Sequence, residues 1–300
     1  MLIMTSILIA GSGGYVGTFL TKQLSEEFDV IAISRDTSIH SEQIKNTIKH
    51  DLAHPWKFTE RPDIIIYLAA QHGFSRPEGT IENFLRSNIH GLHNSLTFAK
   101  SSKVKLFIYL STISVLGEVQ DKIVTETTPL NDPDFYGTTK FLGEKLVQTF
   151  SEAIPSITIR LPGVIGPNLP PGRPWLHTIA KSLQSDLEVK YYNPGSLFNN
   201  VCDVWTIRDF VKHVCTQNHP KNYNLVNLAA SEPILLNKMI ELMRDRLQST
   251  SLLTTQKTNK CSFTIDTSIL LKEFNFLPAT TLDMVIRFMD DFNCTTDTQH

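Results

Sequence analysis

Gly11, Gly14 and Gly17 fall between a short apolar run, Ser6–Ala10, and a stretch in which Val16, Phe19, Leu20 and Leu24 keep helical spacing. Glycines here let the backbone turn tightly. They also let a pyrophosphate approach the N–H groups that open the helix, where the helix dipole favours negative charge. A strand before the turn and a helix after it are the context in which this spacing reads as a dinucleotide fingerprint. The turn therefore assigns Gly11, Gly14, Tyr15, Val16 and Gly17 to cofactor binding.

The first half of the chain alternates the same way. Apolar runs at 30–33, 64–69, 106–110 and 157–161 stand between longer amphipathic stretches at 81–100 and 136–150. Continuous apolar strands are buried on both faces, and alternation with helices implies parallel strands with right-handed crossovers. The fold class is α/β: a doubly wound parallel Rossmann sheet with a smaller C-terminal α/β substrate-binding lobe. Pro167, Pro170, Pro171, Gly172 and Pro174 mark a loop after the alternation breaks. The expected division is a dinucleotide-binding domain over 1–165 and a substrate lobe over 166–300, with strands or helices open to exchange between them. The lobe is expected to hold helices over 207–215, 234–247 and 282–292, and a strand near 225–228.

The end of the second strand selects between cofactors. An acid there binds the ribose hydroxyls of NAD, and a basic residue accommodates the 2′-phosphate of NADP. Levelling the strand ends puts Ser34 at the acid's place and Arg35, a bidentate phosphate donor, directly after it. NADP is favoured, with NAD the alternative: Asp36 could serve after a small shift. Tyr136 and Lys140 are four apart, hence on one helix face. A nearby ammonium favours the phenolate, so the tyrosine can act as acid and base near neutral pH. Ser111-Thr112 lies immediately after the strand at 106–110, at its carboxyl end, where a hydroxyl can meet the same substrate oxygen.

Together with Asp51-Leu52, Leu68-Ala69-Ala70, Asn88-x-x-Gly91, Ser111 to Gly117, Tyr136 to Lys140 and Arg160 to Pro167, these features resemble the extended short-chain dehydrogenase/reductases, the NAD-dependent epimerase/dehydratase family, over nearly the whole chain. The resemblance implies Thr112, Tyr136 and Lys140 as the catalytic set, with Lys140 holding the nicotinamide ribose. It implies adenine contacts from Asp51 and Leu52, a cofactor channel lined by Leu68, Ala69 and Ala70 and supported by Asn88, and a cofactor contact from Pro162. It also implies a nucleotide-sugar substrate, touched by Thr112 and Asn200, and a homodimer built on the two long helices. Ile113-Ser114 stand where the family's dehydratases carry Asp-Glu, which argues against dehydration. Leu116 and Gly163 replace a Tyr and an Asn common in the sugar pocket.

Three activities follow. The first is a reductase or dehydrogenase acting on a carbonyl or alcohol carbon, a nucleoside-diphosphate-sugar 4-ketoreductase. The second is a 4-epimerase with tightly held NAD. The third is a non-catalytic NADP sensor, disfavoured by the intact Tyr136, Lys140 and Thr112. His72 is expected as a surface imidazole. A net charge of −2 and the lack of a basic block speak against nucleic acid and against a membrane held by charge. The 4 scattered cysteines, and an N-terminal run too short for a leader or a span, fit a cytoplasmic protein. No histidine pattern suits a metal, and none is expected.

Overall fold

The computed structural model describes residues 4–38, 44, 46–73, 80–169, 175–217, 222–258 and 261–294 of the chain. Prolines 170, 171 and 174 of the expected loop lie outside these residues. The elements, in chain order, begin with β1 (Ser6–Ala10), α1 (Tyr15–Leu24), β2 (Asp29–Ser34), β3 (Asn46–Lys49) and β4 (Ile64–Tyr67). Next come α2 (Ile81–Phe84), a π-helical turn (Leu85–His90), α3 (Gly91–Ser102) and β5 (Leu106–Thr112). A 3-10 turn (Ile113–Leu116), β6 (Ile123–Val124), α4 (Phe135–Phe150), β7 (Ser156–Leu161) and β8 (Gly163–Ile165) follow. The remainder holds α5 (Trp175–Gln184), β9 (Val189–Tyr192), β10 (Leu197–Phe198), β11 (Val201–Asp203), α6 (Val204–Cys215) and β12 (Tyr223–Asn227). The chain closes with β13 (Ile234–Leu235), α7 (Leu236–Arg246), β14 (Leu253–Gln256), β15 (Thr264–Ile265), α8 (Ser268–Phe274) and α9 (Thr281–Cys294).

Residues divide into two compact units. The first takes residues 1–118, 130–160 and 208–226, and the second takes 119–129, 161–207 and 227–300. The central sheet has 7 strands in the order β12-β7-β5-β4-β1-β2-β3. The pairs β1–β2, β1–β4, β2–β3 and β4–β5 run parallel. Strand order reverses between β1 and β4, and a crevice at such a switch point is where doubly wound sheets bind ligands. Ala10 pairs with both Ile33 and Tyr67, so the glycine turn, Ser34 and Leu68 leave the sheet at one edge.

Every residue of β1 from Ile7 to Ala10 is buried, as are Ile64 to Tyr67 of β4. Leu8, Ile31, Ile65, Phe107 and Tyr109 pack with Leu92, Leu96 and Ala99 of α3 and Val147 of α4. Burying such side chains stabilises the fold by about 1.5–3 kcal/mol each, which is why the continuous apolar runs become central strands. Among the described residues no helix is long and apolar enough to cross a membrane.

One strand finds its place in the sheet, and several element bounds differ from expectation. The strand near 225–228 is β12, at the edge of the central sheet, an exchange the expected division left open. The 207–215 helix starts at Val204, because Asp203 Oδ1 accepts the Thr206 N–H at 2.8 Å and caps the helix there. Ile234 and Leu235 are strand residues, paired antiparallel with Phe198 and Leu197, and the helix begins only at Leu236. The long helix from 81 contains a π turn, and Ser111 and Thr112 are the last residues of β5 rather than a loop after it. In the second unit, Arg287 of α9 holds Asp203 at 2.8 Å, and β9 pairs in parallel with β14.

Candidate functional site

Gly14 is the N-cap of α1, and the Gly11 N–H and Ser12 N–H both donate to Ile33 O at 3.2 Å. Ser12 Oγ also donates to Ile33 O, at 2.9 Å, and Thr18 Oγ1 donates to Ser12 O at 3.1 Å. Two of the three glycines are required by the chain's own packing. Gly11 has φ +91°, and a Cβ on it would lie 2.6 Å from Ala69 N. A Cβ on Gly17 would lie 2.2 Å from Gly11 O. Gly14 is different: its φ is −79°, and its nearest neighbour to a Cβ would be Gly11 O at 3.5 Å, an ordinary contact.

At the end of β2, Ser34 Oγ accepts the Asp36 N–H at 3.2 Å. The Asp36 carboxylate accepts from Ser38, from N–H at 2.9 Å and from Oγ at 2.6 Å. Arg35 is exposed. Asp51 Oδ1 accepts the Ala53 N–H at 3.0 Å, and Oδ2 meets Arg86 Nη2 at 3.0 Å. Burial works to raise the Asp51 pKa, but the Ala53 N–H and the Arg86 guanidinium outweigh it and hold the carboxyl below its ordinary range. Leu52 O accepts from Asn94 Nδ2 at 3.1 Å.

After β4, the Leu68 N–H donates to Ala10 O at 2.9 Å, tying the 68–70 segment to the glycine turn. Asn88 lies on the π turn and clamps the next residue: its Oδ1 accepts the Gln71 N–H at 2.7 Å, and its Nδ2 donates to Gln71 O at 3.1 Å. The same Nδ2 donates to Thr139 Oγ1 at 2.9 Å, and Thr139 Oγ1 donates to Tyr136 O at 2.8 Å. The extra residue of a π turn re-aims a side chain within a helix. Here it carries Asn88 between the 70–72 segment and α4. His72 is not a detached surface imidazole. It is half-buried, with its ring edge-on to the Tyr136 ring at 6.3 Å.

Asp134 caps α4 by accepting the Gly137 N–H at 2.7 Å. A Cβ on Gly137 would lie 2.3 Å from Ser114 O, so this glycine lets the first turn of α4, with Tyr136, close onto the 3-10 turn that Thr112 caps. Thr112 Oγ1 donates to Ser114 Oγ and accepts the Ser114 N–H, both at 3.2 Å. Lys140 is buried under the helix: its Nζ donates to Leu110 O at 2.5 Å and sits 4.2 Å from the centroid of the Tyr109 ring. Burial drives its pKa from 10.5 down to about 7, against an upward pull from Glu144.

One buried cluster was not singled out from sequence. Glu144, one turn beyond Lys140, takes both Arg160 Nε at 2.9 Å and Nη2 at 2.8 Å, and also Ser111 Oγ at 2.6 Å. Both ionic partners are 3% exposed. The pair binds α4, β5 and β7 together beside the carboxyl end of β5. Its signal in the sequence was Glu144 continuing the face of Tyr136 and Lys140 at i+8.

Pro162 and Asn200 belong to the second unit. Neighbouring Asn199 is structural, donating to Ala230 O and Ile265 O and accepting the Ile265 N–H. Asn200 Oδ1 is buried with no hydrogen-bond partner among the described residues.

A fold with a glycine turn at the switch point, and a Tyr and Lys on one face of the helix beside it, defines a Rossmann-type nucleotide enzyme. Residues 7–225 match the NAD dependent epimerase/dehydratase family, and the chain belongs to that family of NAD-dependent enzymes. Among curated relatives, an uncharacterised UDP-glucose epimerase of Bacillus subtilis (strain 168) is 28% identical over 264 residues, 80% of this chain and 81% of that protein. The UDP-glucose 4-epimerase of Thermotoga maritima, solved with UDP-glucose, superposes with a TM-score of 0.80 at 17% identity, over 97% of this chain and 100% of that one. The UDP-glucuronic acid 4-epimerase of Bacillus cereus, solved with NAD, gives 0.78 at 20% identity, over 97% and 99%. These two likenesses are of fold.

Proposed function

We propose that the chain is an NADP(H)-dependent oxidoreductase that interconverts an alcohol and a carbonyl at the 4-position of a nucleoside-diphosphate sugar. Gly14 is the observation that carries the cofactor reading. The fold needs a glycine at 11 and at 17 but has room for a side chain at 14, so the bare backbone there serves something that approaches the start of α1. Tyr15, Val16 and Gly17 continue this cradle. Asp51 and Leu52 take the adenine side, Leu68, Ala69 and Ala70 line the channel, Asn88 supports it, and the family pattern adds Pro162. Ser34 and Arg35 favour the 2′-phosphate of NADP, because the Asp36 carboxylate that would bind ribose hydroxyls is engaged by Ser38.

Tyr136 holds and returns the proton at its phenol oxygen, Lys140 favours the phenolate, and Thr112 Oγ1 positions the substrate oxygen. The nicotinamide, when bound, supplies or accepts the hydride. The sugar-nucleotide class is supported by the relatives' own substrates, and the unpaired Asn200 Oδ1 is a site for one of its polar groups. A homodimer is part of the same proposal, through the face where Ile89 of the π turn, His93 and Asn94 of α3 and Leu146 of α4 line an open pocket of about 330 Å³.

A second reading, a 4-epimerase that keeps its NAD, is supported by the epimerases among the relatives and uses the same residues. Native mass spectrometry of the purified chain separates the two. Release of NADP(H) and a need for added cofactor support the first. Retained NAD, with turnover lacking any added cofactor, supports the second and rejects the first.

A further inference from the structure

We propose that Tyr109 is a positioning residue for Lys140: the face of its ring, with the Leu110 carbonyl, forms the seat that favours the charged form of the lysine inside the protein. This rests on the reading of Lys140 as the charge that favours the Tyr136 phenolate. A fully desolvated ammonium needs both a hydrogen-bond acceptor and a source of negative potential. The acceptor is Leu110 O, at 2.5 Å. The potential comes from the Tyr109 ring, whose centroid is 4.2 Å from Nζ, well inside the range of a cation–π contact. The Tyr109 hydroxyl faces the other way, donating to Lys140 O at 3.4 Å, so the ring lies between the two ends of the same residue.

The ring is built in. Tyr109 is 1% exposed, and a Cβ on Gly143 would fall 2.3 Å from its hydroxyl oxygen, so α4 approaches β5 here only because residue 143 has no side chain. Burial holds the phenol protonated, which leaves the ring neutral with its π face intact. Among the other titratable or charged groups about the lysine, Glu144, on the same helix, adds an upward pull of its own, but its carboxylate is also held by Arg160 of β7 and by Ser111 of β5, whereas the Tyr109 ring meets the ammonium directly. Tyr136 is the group the lysine acts on. From the π turn and α3, the side chains reaching α4 include Asn88 and Leu92, both neutral.

The test is the titration of Lys140 itself, read by NMR on the full chain labelled with 15N-lysine, without cofactor or substrate. Residue 109 is varied through Tyr, Phe and 3,4,5-trifluorophenylalanine. Shape is kept along this series while the ring's negative face is removed, and Tyr109→Leu serves as the extreme. With Tyr109→Phe, the Lys140 midpoint stays with that of the wild type. With the trifluoro ring, proton affinity falls about tenfold, one pH unit, as loss of a desolvated cation–π contact requires. Turnover near neutral pH falls in the same order as the midpoint, with little change in KM. A trifluoro variant that is folded and titrates like Tyr109→Phe overturns the proposal and leaves the proposed function standing. Undiminished turnover in Tyr136→Phe would instead remove the proposed function, whatever Lys140 does.

Discussion

Gly14→Ala and Gly17→Ala, made separately, should fail in opposite ways. At Gly17 the new Cβ would meet backbone atoms at 2.2 Å and 2.9 Å, so either the turn or α1 must move. Overpacking of this kind costs about 1–3 kcal/mol. For a chain of this size that lowers Tm by roughly 2–4 °C per kcal/mol. At Gly14 the nearest atom stands at 3.5 Å and φ is already permissive, so the cost is that of a poorer N-cap, about 1 kcal/mol or less. The expected order reverses in cofactor binding. On the proposed reading Gly14→Ala puts a methyl group in the path of the pyrophosphate and should weaken NADPH by at least about tenfold, equivalent to 1.4 kcal/mol. Thermal unfolding by circular dichroism and NADPH titration by fluorescence measure the two quantities on the same samples. Undiminished NADPH affinity in Gly14→Ala would refute the argument that this glycine is bare for a ligand. Wild-type stability in Gly17→Ala would refute the steric account of the turn.

Three further outcomes are expected. Arg35→Ser should raise the KM for NADPH by roughly 10–100-fold, the worth of charge-assisted hydrogen bonds, and leave that for NADH nearly unchanged in steady-state assays. Glu144→Gln leaves Arg160 buried without its partner and should cost about 3–5 kcal/mol in denaturant unfolding, and the double variant Glu144→Gln, Arg160→Met should recover part of that loss. The third concerns pH. Lys140 has a folded pKa of about 7, below its unfolded value of 10.5, so the unfolded chain binds more protons between these limits and the lysine's contribution to stability rises with pH there. It is fully present above pH 10.5 and lost as pH falls through 7. Lys140→Met should therefore stabilise the chain by a few kcal/mol at pH 7, at 1.36 kcal/mol per unit, with the gap to wild type closing by pH 10.5 in unfolding curves taken across that range.

Continuous apolar runs made β1, β2, β4, β5 and β7 legible, because a strand buried on both faces has no polar position to blur it. The glycine turn was legible because its context is local. The place of β12 stayed open because its apolar core is short, and strand order is a long-range property that local pattern does not carry. The α6 start was missed where an acid, Asp203, reads as surface charge but acts as a cap. The Glu144–Arg160 pair was only half legible for a related reason: Glu144 continues the face of Tyr136 and Lys140, but two opposite charges on distant segments look like two solvated faces until the fold brings them together. Tyr136, Lys140 and Thr112 could be picked out because their spacing along one helix and at one strand end is local. The bearing of His72 on Tyr136 and of Tyr109 on Lys140 depends on packing that no spacing encodes.

The most direct measurement is isotope transfer. The wild-type chain and Tyr136→Phe are supplied with NADPH carrying deuterium at C4 and with a 4-keto nucleoside-diphosphate sugar, and the product is examined by mass spectrometry and NMR. The account predicts deuterium at C4 of the sugar with the wild type, and none with Tyr136→Phe, although that variant binds NADPH as tightly. An unlabelled product from the wild type, or equal labelling by both proteins, would contradict it.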